Sequence, residues 1–312
     1  MIGRLQRWAA AHWWRAAGRV GADRHDLYGG AHGLRVICFH ETLPEELEQV
    51  RRVVDFCRQR FEMATPEDAD LLFEGRWREQ ESDRILVTFD DGLSSNYEAA
   101  RWLASAGIKA IFFIVPSLVD RTIEEYLRFH ADAGVKAHPP LAAPGARGLS
   151  SGQLREIVSM GHRIGGHNYA HRDLGRLHDA ASLRYEIGSA VEAVRELTGA
   201  PCRDFAIGFG QPENLSEQAA AYLLASGQRV YACHRGLNVP GKTPRFLLRH
   251  AFSPEHPMAF TRLCLEGGGD RRLAGRVREM VRRVGVLPAA EGAPAAVFQA
   301  LTAPASGWPR RA

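Results

Sequence analysis

Apolar residues recur along this chain in two rhythms, short unbroken runs and helical spacings, and the two alternate. Leu34–Phe39 (LRVICF), Ile85–Phe89 (ILVTF) and Ala110–Val115 (AIFFIV) are β-branched and aromatic runs of strand length. Pro44–Arg60 carries apolar residues at helical spacing with a proline near its start, and Ser94–Ala106 reads as a helix that Gly107 ends. Further helices are expected over Ser150–Met160, Ala180–Leu197 and Asn214–Ser226. Further strands are expected over Phe205–Phe209, Val230–Cys233 and Phe246–Leu248. Strands alternating with helices predict βα units on a mostly parallel sheet, and their number suits a barrel better than a small open sheet.

Three stretches break the rhythm. Between Val115 and Ser150 lie Pro139, Pro140, Pro144, Gly145 and Gly148, too long a connection unless it is a lid or substrate loop. Beyond residue 285 the chain turns Ala/Pro/Gly-rich and reads as a tail with little core to join. The first 20 residues, MIGRLQRWAAAHWWRAAGRV, mimic a leader, but His12 and Arg15 interrupt the apolar stretch and no small-x-small cleavage site follows. They read as a basic amphipathic helix that either packs on the domain or lies on a membrane surface. The expected organisation is an N-terminal segment (1–33), one central α/β domain (34–285) and a C-terminal tail (286–312).

With 312 residues, 45% of them hydrophobic and 24% charged, the chain can bury a full core. Disorder, collagen and a disulfide scaffold are excluded as descriptions of the whole. Five cysteines without a C-x-x-C pair argue against a disulfide framework or a cysteine zinc site and suit a reducing compartment. A net charge of +4 is too small to indicate a nucleic-acid partner. Its distribution says more: residues 1–35 hold six arginines against Asp23 and Asp26, and residues 271–312 hold eight against Glu279 and Glu291. Such ends either touch anionic lipid or a phosphorylated substrate, or are simply solvated.

Two motifs carry chemistry. Thr88-Phe89-Asp90-Asp91-Gly92 follows directly on a strand. Adjacent carboxylates there are costly unless a cation or proton sits between them, although a helix cap or plain turn is the bland alternative. Gly165-Gly166-His167-Asn168-Tyr169-Ala170-His171 sets two histidines four apart, a spacing that on a helical turn lets both reach one metal ion. A carboxylate beside such a pair makes a His/His/Asp set with open positions, as metal-dependent hydrolysis needs.

TFDDG at Thr88–Gly92, followed by HNYAHRDL at His167–Leu174 with its lead GHRIGGH, resembles the polysaccharide deacetylase family of carbohydrate esterases (the NodB-homology domain). The resemblance runs from about Leu34 to Phe252. It implies an α/β fold, a distorted (β/α) barrel of about seven mostly parallel strands. It implies that Asp91, His167 and His171 hold one divalent metal, usually zinc, and that Asp90 takes a proton from the metal-bound water attacking the amide. The backbone N–H of Phe209, in Phe205–Gly210, would help hold the oxyanion. That loop departs from the family pattern: Gly208 stands where proline is frequent and Ala206 where arginine is. The arginine orienting the base would then come from elsewhere, Arg235 in Cys233–Asn238 or Arg203. Leu247-Leu248-Arg249-His250 matches the family's L-x-x-H, which makes His250 the expected general acid, with His234 as the alternative. His40 either lines the pocket beside Glu41 or caps its strand.

The expected function is removal of N-acetyl groups from an amino sugar in a polysaccharide or glycan precursor. The alternatives are a related amide hydrolase, such as a deformylase of a lipid-linked sugar, and a degenerate member that only binds glycan. The expected location is cytoplasmic or at the inner face of the membrane, where lipid-linked or soluble precursors of exopolysaccharide are met. The expected partner is an N-acetylated glycan or lipid-linked sugar and no nucleic acid, with peripheral membrane contact the alternative to packing for the N-terminal helix.

Overall fold

The computed structural model describes residues 2–78, 80–253 and 256–289, with the side chains of residues 2–5 left aside. Most of the expected tail, 290–312, lies outside the described residues. Among the described residues eight strands form one sheet: β1 (Leu34–Phe39), β2 (Glu62–Met63), β3 (Arg84–Phe89), β4 (Ala110–Ile114), β5 (Arg163–Gly166), β6 (Asp204–Ala206), β7 (Arg229–Tyr231) and β8 (Arg249–Ala251). Their order is β7-β6-β5-β4-β3-β1-β8, with β2 beside β3, and every pairing is parallel. A parallel bridge from Tyr231 to Leu247, just before β8, brings the two ends of the sheet together. Hydrogen bonds from Ala232 N to Leu247 O and from Leu247 N to Val230 O, both 2.8 Å, hold that seam. The result is the nearly closed α/β barrel that the alternating pattern predicted.

Among the described residues twelve α-helices surround it. α1 (Ile2–Ala16) and α2 (Arg19–Tyr28) precede the barrel. α3 (Pro44–Arg60) and α4 (Pro66–Phe73) lie between β1 and β3, and α5 (Asn96–Ser105) between β3 and β4. α6 (Ile123–Asp132) and α7 (Ser151–Ser159) lead to β5. α8 (Ala180–Leu183) runs through a π-turn (Arg184–Gly188) into α9 (Ser189–Thr198). α10 (Glu217–Ala225), α11 (Met258–Leu265) and α12 (Ala274–Val284) complete the set.

Because strand side chains alternate, each buried strand feeds two cores. Leu34 and Val36 of β1, Leu86 of β3, Ile111 and Phe113 of β4, Ala206, Tyr231 and Leu247 fill the barrel interior. Ile37, Phe39, Ile85, Val87, Phe89, Ala110, Phe112 and Ile114 face outward onto α3, α5 and α7. This parity decides which residues reach the mouth of the barrel.

The structure differs from the sequence reading in three places. The last strand is Arg249–Ala251 rather than Phe246–Leu248, because two polar residues that find buried partners carry the pairing with β1. The 116–149 connection is not structureless, since Thr122 caps α6 with a reciprocal bond to Glu125. Leu287, placed in the expected tail, is fully buried in the core and its N–H bonds to Thr243 O at 2.8 Å.

Candidate active site

Asp90 and Asp91 follow β3 at the C-terminal mouth of the barrel, the end where parallel α/β folds place their chemistry. Continuing the inward row of Leu86 and Thr88, Asp90 meets the guanidinium of Arg249, which donates through Nη1 to Oδ1 at 2.6 Å and through Nη2 to Oδ2 at 2.8 Å. Both residues are buried. Burial alone would raise the Asp90 pKa, but the Arg249 charge and then His167 outweigh it and hold the carboxyl well below its ordinary range. Asp90 is therefore an ionised carboxylate fixed in orientation.

Gly92 lets the chain leave this corner. At φ 70° a Cβ there would stand 2.7 Å from Ile114 Cγ2, so only glycine fits. Asp91 itself has φ 71° and turns its carboxylate toward the histidines. Its Oδ1 lies 3.4 Å from His167 Nε2 and 3.6 Å from His171 Nε2. Against the i, i+4 expectation, the two histidines are on no helix. They sit on the loop after β5, where Asn168 and His171 both have φ 49°, and their rings approach to 5.0 Å between centroids. Asn168 donates to Arg172 O at 2.7 Å across that turn. Four of the five non-glycine residues with positive φ among the described residues are Asp91, Asn168, His171 and Phe209, so backbone strain collects at this site.

The triad suits a divalent cation. One ligand atom each from Asp91, His167 and His171 lies within 4.8 Å of the others, and all three residues are buried. His167 Nδ1 bonds to Ala206 O at 2.9 Å, which leaves Nε2 aimed at Asp91. Asp91 Oδ1 is buried with no hydrogen-bond partner among the described residues, an arrangement a cation resolves. Burial drives the His171 pKa down to about 4, against the opposing pull of Asp91, so its ring is neutral and able to ligate near pH 7. Cys38, His40 and Asp90 form a second close cluster. That one does not suit a metal, because Arg249 Nη1 already stands 3.6 Å from Cys38 Sγ and occupies Asp90.

These residues open into a cavity of about 620 Å³ lined by His40, Glu41, Asp90, Asp91, His167, His171 and Phe209, with Pro139–Ala142 of the long connection at its edge. Glu41 accepts from Ala143 N at 2.8 Å and ties that connection to the strand end beside it. His40 lines the cavity as one of the two expected alternatives. Phe209 has φ 62°, packs its ring 5.1 Å from that of His171, and has a backbone N–H that bonds to nothing among the described residues.

Arg235, expected beside the base, pairs instead with Asp270 (Nε–Oδ1 3.2 Å), and Arg203 is exposed away from the cavity. Arg249 holds Asp90 in their place. His250, expected as the acid, lies on the opposite face of β8. Its Nε2 sits 3.1 Å from Gly236 O and 3.3 Å from Arg35 Nη1, and it does not line the cavity. The reason is strand parity: Leu247 and Arg249 point into the barrel, so His250 points out. His234 is buried but also absent from the lining. Sequence reading passed over one more residue, Glu186 of the π-turn. It accepts from Ala170 N at 3.0 Å and from Arg172 Nε at 2.6 Å, pinning the histidine loop.

The polysaccharide deacetylase family model matches residues 78–225, from before β3 to the end of α10. Over those residues the chain is similar to the polysaccharide deacetylase family. That family hydrolyses N-acetyl amide bonds, which makes this chain a hydrolase by class. Among solved structures, IcaB from Ammonifex degensii is similar over 76% of this chain and 98% of its own, with TM-score 0.56 and 24% identity. A de-N-acetylase from Aggregatibacter actinomycetemcomitans matches over 73% and 98%, with TM-score 0.56 and 15% identity. The BpsB deacetylase domain from Bordetella bronchiseptica matches over 70% and 95%, with TM-score 0.54 and 18% identity. At these identities the likenesses establish the fold. No curated protein matches in sequence.

Proposed function

We propose that this protein removes N-acetyl groups from an amino sugar within a polysaccharide or its precursor. The observation that carries the reading is an ionised carboxylate, Asp90, locked by Arg249 beside the Asp91/His167/His171 triad at the mouth of one cavity. Asp91, His167 and His171 would hold a divalent cation, zinc first among the candidates, which when bound polarises an amide carbonyl and acidifies water. Asp90 accepts the proton of the attacking water, and the Phe209 N–H donates to the carbonyl oxygen as it becomes an oxyanion.

The leaving amine needs a proton, and we assign its delivery to His40 rather than His250. His40 lines the cavity, and one of its ring nitrogens lies within 4.8 Å of an Asp90 oxygen. Acetate release from N-acetylglucosamine oligomers, with and without added zinc and chelator, tests the whole reading. Asp90→Asn is expected to lower turnover about 10³-fold or more while the protein still binds one equivalent of metal. Metal binding with no acetate from any N-acetylated sugar would reject the substrate assignment and favour another acyl group. His40→Ala should slow amide hydrolysis about 100-fold yet spare an activated aryl acetate, whose leaving group needs no proton. Equal loss on both substrates would remove His40 from that role.

A further inference from the structure

The N-terminal helix is seated on the barrel the wrong way round for a helix that merely packs. On one face Ala11 is buried, Arg15 pairs with Glu266 of the α11 turn at 2.7 Å, and the Arg7 guanidinium lies 5.8 Å from the Phe260 ring. Trp14 donates its indole N–H to the buried Asp23 of α2 at 3.2 Å. The seated face therefore carries two arginines. The opposite face, facing solvent, carries Trp8 at 52% and Trp13 at 56% exposure, with Ala9, His12 and Ala16 also exposed. At 3.6 residues per turn these five positions fall within an arc of about 140°. An ordinary surface helix turns such a stripe inward.

The rim of this stripe is cationic. Arg19 lies 5.7 Å from the Trp13 ring and Arg272 4.7 Å from the Trp14 ring. Neither they nor Arg7 pair with a carboxylate among the described residues. The acids nearby are already engaged: Glu266 by Arg15, Asp26 by Arg271 at 2.6 Å, and Asp23 by Trp14. An excess of positive charge therefore surrounds two outward indoles. Indole is apolar in body and polar at its N–H, which suits the headgroup level of a bilayer, and guanidinium suits its anionic lipids. A second copy of this chain meeting the face across a two-fold axis would bring like charges together.

We infer that α1 docks this protein on an anionic bilayer surface, its Trp8/Trp13 face lying among the headgroups and Arg19 and Arg272 on lipid phosphates. The inference does not depend on the reaction proposed above. The test is flotation of the full chain with phosphatidylcholine vesicles containing 30% phosphatidylglycerol, and with phosphatidylcholine alone. Wild type is expected to float with the anionic vesicles at least about tenfold more tightly than with the neutral ones, and to be released as salt rises. The exposed substitutions Trp8→Ala/Trp13→Ala and Arg19→Glu/Arg272→Glu should each weaken binding about tenfold without changing the thermal midpoint. Failure of wild type to float overturns the proposal, as does floating that both double variants leave untouched. Sedimentation velocity supplies the other decisive outcome: self-association lost in the tryptophan variant, with no vesicle binding, would make this face a contact between copies instead.

Discussion

At position 249 a guanidinium donates two parallel hydrogen bonds to Asp90, and both partners are buried. A lysine keeps the charge but cannot form the fork, so Arg249→Lys is expected to lower kcat about 10- to 100-fold with a smaller change in KM. Steady-state kinetics on the acetylated oligomer read the split, and a change confined to KM would contradict a role in orienting the base. Arg249→Met leaves a buried carboxylate without its cation and should destabilise the fold by about 3–5 kcal/mol in urea unfolding. The two carboxylates and two histidines were legible in the sequence because their chemistry lies within short contiguous motifs. Arg249 was not, although the signal was present. Leu247 belongs to an apolar run entering the barrel, and the residue two places on shares its face, whereas the L-x-x-H pattern drew attention to His250 with the opposite parity.

The element that presents the histidines is a loop, and a loop holds a geometry only when something outside it does the holding. Here Glu186, buried in the π-turn between α8 and α9, takes Ala170 N and the Arg172 side chain, while its own carbonyl accepts Tyr169 N at 2.9 Å. Glu186→Gln is expected to weaken metal binding about 10- to 100-fold, read by competition with a chromophoric chelator, with the circular dichroism of the barrel unchanged. Wild-type affinity in that variant would show that the loop needs no such brace. Spacing of four between histidines does not distinguish a helical turn from a loop with two residues at positive φ, which is why the sequence suggested the first. The missed helix α6 is a different case. Its capping signature, Thr122 with Glu125, stands in the sequence but is overshadowed by the prolines and glycines downstream.

Across the whole molecule, parallel architecture followed from the alternation of apolar runs and helical spacings. How the N-terminal helices join the barrel did not, because the contact rests on scattered charges. Arg24 of α2 grips Asp83 at 2.7 Å from both Nη atoms, and Asp83 also accepts from Gly33 N at 3.1 Å. Burial alone would raise the Asp83 pKa, but the hydrogen bonds and charge of Arg24, with Arg35, hold it below 3.8. A carboxyl lowered in the folded state stabilises fully above its unfolded pKa, and that stability is lost as pH falls through the folded value. Asp83→Asn should therefore cost about 2 kcal/mol at pH 7, with the gap to wild type in urea titrations constant down to about pH 5 and narrowing below 3.8. A gap that does not change with pH would assign the loss to packing rather than charge.

The order in which the strands leave the ribosome bears on when this protein acquires its site. β1 pairs with β3 early, but its other neighbour is β8, some two hundred residues later, and Leu247 closes the seam at about the same point. Until then β1 lacks its second neighbour and Asp90 lacks the guanidinium that holds it. A chain ending before Arg249 would carry both the TFDDG and the HNYAHRDL motifs and still lack the partner that fixes Asp90. The last strand thus both closes the sheet beside β1 and supplies the cation of the Asp90 pair.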